Sequence, residues 1–298
     1  GRYRSLSTFT REGDELVASL EGGYHWLDPA LPGTQEHVHA VVMDLVARYD
    51  VDGIHFDDYF YPYPSYNADR DFPDEQSWSA YRRDGGAMER SDWRRDNINA
   101  FIQRVYQSIK ASKPHVRFGI SPFGIWRPGH PESIRGMDQY EVLYADALKW
   151  LREGWVDYLT PQLYWPIGRV EQSFPVLLGW WLRQNEHARH VWPGLMTSSV
   201  RDQQGVPEIV NQMMVARGFS PETSGHVHFS FRPLLHDRAA LIEALRRGPY
   251  AQPALVPPTV SMAGEVKSLR GDQALDKESV RPGRARPEEA RGGFERSW

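Results

Sequence analysis

Five short apolar segments alternate with amphipathic helical stretches along this chain, and that alternation limits its possible folds more than any single residue does. The segments span residues 51–56, 118–121, 157–164, 191–196 and 226–231. Before the first of them, Val38, Val41, Val42, Leu45, Val46 and Tyr49 recur at helical spacing, with Thr34 as the expected cap. Ile98, Phe101, Ile102, Val105, Tyr106 and Ile109 mark a second helix, beginning near Ser91 and closed by Pro114. Further helices are expected over 140–152, stopping at Gly154, over 174–184, from Pro207 through Met214, and over 237–246. A long polar and aromatic loop is expected from Tyr59 to Arg90. Strand–helix alternation of this kind implies a parallel sheet with helical crossovers.

The later strands indicate which parallel architecture this is. In 157–164, Leu159, Pro161 and Leu163 share one face, while Tyr158, Thr160, Gln162 and Tyr164 share the other. In 226–231, Val227, Phe229 and Phe231 oppose His226, His228 and Ser230. An open doubly wound sheet has greasy strands on both faces. Here one face turns polar toward the carboxyl ends, as in an α/β (β/α)8 TIM barrel whose mouth is a site. Only five units are visible, and the residues before Gln35 show no convincing strand pair beyond 3–9 and 22–26. About three amino-terminal units of an eight-fold barrel are therefore expected to be absent. Left open, such a sheet exposes an unpaired edge. The partial barrel is assigned to residues 1–252. The stretch 253–298, rich in Arg, Glu, Gly and Ser, is expected to be a disordered tail.

Within this frame, residues 51–64 carry the chemistry: Val-Asp-Gly-Ile-His-Phe-Asp-Asp-Tyr-Phe-Tyr-Pro-Tyr-Pro. A strand runs into two carboxylates and then into aromatic rings. Sugars stack on such rings, and glycosidic cleavage needs carboxylic acids. Alternation puts Gly53, His55 and Asp57 on one face, with Ile54, Phe56 and Asp58 on the other. Ile54 and Phe56 should face the covering helices, so Asp57 points to whatever the sheet encloses. Asp58 is expected to start the loop, where it orients Asp57 or contacts ligand. Burial near apolar rings would raise the pKa of Asp57, which suits a general acid.

Composition removes other classes. A net charge of −4 suggests no nucleic-acid partner. With no cysteine there are no disulfides and no thiolate metal sites. No stretch is long and apolar enough to form a membrane-spanning segment. His226-Val227-His228, with His55 and Asp57, is a weak match to a zinc site. No metal and no cofactor are expected. Phosphate loops and Gly-x-Ser-x-Gly elbows are missing.

Several motifs in order resemble a known family. They are the run from Val51 to Tyr61, Trp26-Leu27-Asp28-Pro29, Asp92-Trp93-Arg94-Arg95-Asp96-Asn97, the run from Gly119 to Arg127, Tyr144-Ala145-Asp146, and Pro161-Gln162-Leu163-Tyr164-Trp165-Pro166. Over about 24–246 the chain resembles the bacterial glycosyl-hydrolase-like TIM barrels that include the divisome-localised peptidoglycan glycosyl hydrolase. The resemblance implies cleavage of peptidoglycan glycan, export to the periplasm or cell envelope, and residues 51–56 as the fourth barrel strand. It departs at Phe231-Arg232-Pro233-Leu234, where some relatives carry an acid after the Arg.

Asp57 is then the expected acid/base, nucleophile or orienter of a substrate N-acetyl group. Its partner carboxylate is open: Asp58 and Asp146 are candidates, the absent amino-terminal units are a third source, and Asp146 equally suits a helix cap. His55, Tyr59, Tyr61, Trp126, Gln162, Tyr164 and Trp165 are expected to bind the saccharide by hydrogen bonds and stacking. Arg232 would meet a lactyl carboxylate, or form an ordinary ion pair. Two alternatives stand beside hydrolysis: a non-catalytic glycan-binding barrel, and a metal-dependent deacetylase.

Overall fold

The structure is a computed structural model that describes residues 10–11, 14–15, 17–221, 225–236, 238–254 and 257–258. Two antiparallel hairpins come first: β1 (Thr10–Arg11) with β2 (Asp14–Glu15), and β3 (Val17–Ser19) with β4 (His25–Leu27). These correct the expectation of no strand pair before Gln35. The second hairpin turns through Gly23, whose φ of +80° suits a residue without a Cβ. Its strands are too short for alternation to register.

The remaining elements follow in order: α1 (Pro32–Arg48), β5 (Gly53–Phe56), α2 (Glu75–Arg83), α3 (Arg90–Ser112), β6 (Arg117–Ile120), α4 (Gln139–Val142), α5 (Ala147–Arg152) and β7 (Tyr158–Leu159). After them come α6 (Phe174–Arg183), β8 (His190–Val191), β9 (Gly194–Leu195), α7 (Val206–Phe219), β10 (Val227–His228), α8 (Arg232–Leu235) and α9 (Leu241–Arg247). Four strands pair in the order β5-β6-β7-β8, all parallel, and β10 pairs parallel with β9. Bridges from Gln162 to Phe123 and to Gly194 carry the β7 strand onward past its regular part. With β8 and β9 read as one strand broken at Trp192-Pro193, the five expected strands are all present. Among the described residues β5 pairs with β6 alone, so one edge of the sheet is open.

Several details differ from the sequence expectation. Helix α1 begins at Pro32, whose missing N–H and fixed φ suit a first turn, and Thr34 is buried inside it rather than capping it. Val42 and Val46 are buried, whereas Val41, Leu45 and Tyr49 form an exposed apolar stripe. The expected loop 59–90 contains α2. The expected helix 140–152 is two short helices, separated at Tyr144, whose φ is +52°. The last strand covers only Val227–His228, so Arg232 opens a helix instead of ending a strand. No helix among the described residues is long and apolar enough to cross a membrane. The expected tail beyond residue 258 lies outside the described residues.

The two faces of β5 behave as alternation requires. The Phe56 ring meets Phe118 edge-on at 5.1 Å and stacks with Phe101 of α3 at 6.3 Å, on the helix side. Each buried side chain of this size contributes roughly 1.5–3 kcal/mol. On the opposite face, His55 stacks against Tyr158 at 5.7 Å. Gly119 makes this possible, since a Cβ there would lie 2.1 Å from the Tyr158 ring.

Candidate active site

Three neighbouring strands bring polar groups together at their carboxyl ends. Gln162, past β7, donates through Nε2 to Asp57 Oδ1 at 3.0 Å and to the Ser121 carbonyl at 2.9 Å. Ser121, past β6, meets His55 Nε2 at 2.8 Å, and His55 Nδ1 meets the Tyr158 hydroxyl at 3.0 Å. Loss of water around the imidazole lowers the His55 pKa, partly offset by Asp57. The ring is therefore neutral near pH 7, and both its nitrogens face protein groups. His55 and Gln162 thus spend hydrogen bonds on the protein that the sequence reading reserved for a saccharide.

The two carboxylates divide differently than expected. Asp57 is exposed, and its Oδ1 also accepts from the Asp58 backbone N–H at 2.9 Å. Asp58 is the buried one, at 3% exposure, and Tyr63 donates its hydroxyl to the carboxylate. Burial pushes the Asp58 pKa up to about 6; the Tyr63 bond opposes this and the Asp57 charge adds to it. The expectation of a buried acid beside rings therefore describes Asp58, not Asp57. Tyr164 stands near both carboxylates. Burial first, then their negative charge, pushes its hydroxyl pKa up, so it remains a donor. Its ring stacks with Phe229 at 5.6 Å.

Beside Asp57 stands an aromatic wall, much of it missed from the sequence. Tyr59 is 51% exposed and Tyr24 49% exposed. Tyr66 stacks on Tyr24 at 4.5 Å and on Tyr59 at 6.4 Å, and Trp26 lies 6.1 Å from Tyr59. Trp26 is tied down by its indole N–H, which donates to the Phe60 carbonyl at 3.0 Å. A cleft of about 470 Å³ runs here, lined by Trp26, Val38, His55, Asp57, Tyr59 and Phe101 among others. Tyr61 is excluded from this wall: it is fully buried, packed edge-on against Phe72 and Tyr144, and its hydroxyl has no partner.

Arg94 holds the wall's loop and was also missed as a working residue. It is 1% exposed and grips Asp74 through Nε at 2.7 Å and Nη2 at 2.6 Å. Its Nη1 reaches Asp71 at 2.8 Å and the Tyr144 hydroxyl at 2.6 Å. The signal was available, because Arg94 sits four residues before Ile98, on the apolar face of α3.

The remaining candidates have other immediate partners. Asp146 caps α5 by accepting from Lys149 N, and accepts from the Trp126 indole at 3.2 Å; burial raises its pKa. Trp126 stacks on Trp180 at 5.9 Å, so this acid and ring form their own cluster. Trp165 is half-buried against Phe123. Arg232 is exposed at the start of α8. His226 and His228 both bond the Tyr250 hydroxyl, at 2.6 and 2.9 Å. No group of three or more His, Asp or Glu among the described residues is arranged to hold a metal ion.

Comparison with known proteins gives a consistent picture. A family model described as glycosyl hydrolase-like 10 matches residues 4–208. Glycosyl hydrolase YngK of Bacillus subtilis (strain 168) is 34% identical over 258 residues, covering 83% of this chain and 50% of that protein. Glycosyl hydrolase DigH of Escherichia coli (strain K12) is 35% identical over 219 residues, covering 68% and 48%. The chain spans about half the length of these curated relatives. Among solved structures, the glycoside hydrolase domain of PgaB (BpsB) from Bordetella bronchiseptica aligns with a TM-score of 0.44 at 14% identity, over 80% of this chain and 67% of that one. That likeness is too loose to carry an argument.

Proposed function

Because the chain belongs to the glycosyl hydrolase-like 10 family, we propose that it is a glycoside hydrolase acting on the glycan strands of bacterial peptidoglycan or a related polysaccharide. One observation supports this above the others. An exposed carboxylate, Asp57, is held by hydrogen bonds at the strand ends beside a half-exposed aromatic wall. In this reading Asp57 exchanges a proton with the glycosidic oxygen or orients the attacking group. Tyr59 and Tyr24 stack sugar rings, and the Tyr164 hydroxyl donates to the saccharide. Asp58 is buried against Tyr63, and Asp146 caps a helix through Oδ1, so neither is as exposed as Asp57. A glycan bearing N-acetyl groups brings its own internal nucleophile, which suits a site with one accessible acid. Such a substrate places the protein in the cell envelope.

The same reading extends the five strand–helix units into a closed (β/α)8 barrel. The open edge of β5 and the exposed stripe Val41, Leu45 and Tyr49 are surfaces that a further unit would cover. The burial of Asp58 and the helix-capping role of Asp146 favour one competing reading, a barrel that binds glycan without cutting it. Peptide-stripped peptidoglycan strands decide between them, with products separated by chromatography and mass spectrometry. Shortened glycans from the wild type, absent with Asp57→Asn, support hydrolysis. Intact strands that are bound by both proteins support the binding barrel.

A further inference from the structure

We infer that Gln162 is a positioning residue for Asp57 rather than a ligand of the sugar. The inference rests on the hydrolase reading above and names what fixes its key carboxylate. Both protons of the Gln162 amide are committed inside the protein, one to Asp57 Oδ1 and one to the Ser121 carbonyl. Each partner can only accept, so the amide has one possible orientation, with nitrogen toward both. Gln162 is itself anchored through its backbone, whose N–H donates to the Pro122 carbonyl at 3.0 Å, and by bridges to Phe123 and Gly194. The Ser121 side is held in turn by the pairing of its hydroxyl with His55, and of His55 with Tyr158.

The result is a chain of hydrogen bonds across three strands that ends on one oxygen of one carboxylate. Oδ1 takes the Gln162 proton and the Asp58 backbone proton, which together fix the plane of the group and leave Oδ2 outside both bonds. A catalytic carboxylate left free to rotate loses the alignment that a near-attack geometry needs, and small misplacements cost large factors in rate. A glutamate in place of Gln162 would set a second carboxylate against both acceptors, so the nearly isosteric change is the most damaging one.

The test compares the wild type with Gln162→Glu and Gln162→Met, using steady-state release of reducing ends from peptide-stripped glycan strands. The expected result is a kcat reduced about tenfold or more in the Met variant and further in the Glu variant, with KM within about twofold. A KM that rises with kcat retained overturns the inference and makes Gln162 a sugar ligand. A readout free of turnover is the side-chain amide resonance of Gln162 in the folded protein. It is expected to move in Asp57→Ala, and an unmoved signal overturns the pairing. A wild type that releases no reducing ends, while this resonance still responds, overturns the hydrolase reading and leaves the pairing standing.

Discussion

Two clusters in this molecule pair an aspartate with aromatic rings, and they differ in exposure and in the partners that hold the carboxylate. Around Asp57 the carboxylate is exposed, its bonds come from Gln162 and one backbone N–H, and the neighbouring Tyr59 keeps half its surface open. Around Asp146 the carboxylate accepts from the first turn of α5 and from the Trp126 indole, which stacks on Trp180. A carboxylate set beside an aromatic ring is common to both. In both, the bonds fall on one carboxylate oxygen, Oδ1, and the difference lies in the setting. Asp146 caps a helix against packed indoles and stabilises local structure, whereas Asp57 stands exposed at the strand ends, where a ligand can reach it.

Arg94 links the two regions, because it joins the loop after β5 to the Tyr144 turn just before Asp146. Replacing it with Met takes two of the guanidinium hydrogen bonds from Asp74, whose side chain is fully buried, and leaves it the one from Arg90; the expected cost is about 3 kcal/mol. An unchanged denaturant midpoint would show the two clusters to be independent. Asp58 gives the next effect in size. Its pKa is raised from 3.8 to about 6, so its contribution to stability is fully present below about pH 4 and lost as pH rises through about 6. From pH 4 to 7.5 the wild type is expected to lose on the order of 2 kcal/mol from this group, a loss that Asp58→Asn removes. Equal pH dependence in the two proteins would contradict the burial argument.

Smaller effects separate structure from function. Asp146→Ala is expected to cost about 1 kcal/mol, a Tm drop of roughly 2–4 °C, with glycan release within about twofold of wild type. Loss of turnover without loss of stability would reverse the roles given to the clusters. Tyr61→Phe removes a buried hydroxyl that has no partner, so stability should stay within about 0.5 kcal/mol or rise slightly. A loss well beyond that, in calorimetry, would mean that the hydroxyl is bonded after all.

Much of this was legible in advance. Periodicity found the five parallel strands, and alternation along β5 correctly turned Phe56 to the helices and Asp57 to the other face. The failures share a cause: they depend on what sits across space from a residue. Tyr59 and Tyr61 read alike in sequence, yet one is open and the other lies against Phe72 and Tyr144. For Gln162 the sequence shows only a strand end that faces the site, and it takes the positions of Ser121 and Asp57 to show that both amide protons are engaged within the protein. The Trp26 wall escaped notice because β3 and β4 are three residues each, too short for a pattern.

The comparison comes down to one measurement, the release of reducing ends from peptide-stripped glycan strands by the wild type, Asp57→Asn and Asp146→Asn side by side. The account predicts a loss of about a hundredfold or more for Asp57→Asn and nearly full activity for Asp146→Asn. Undiminished release by Asp57→Asn, or its loss in Asp146→Asn at unchanged stability, would contradict it.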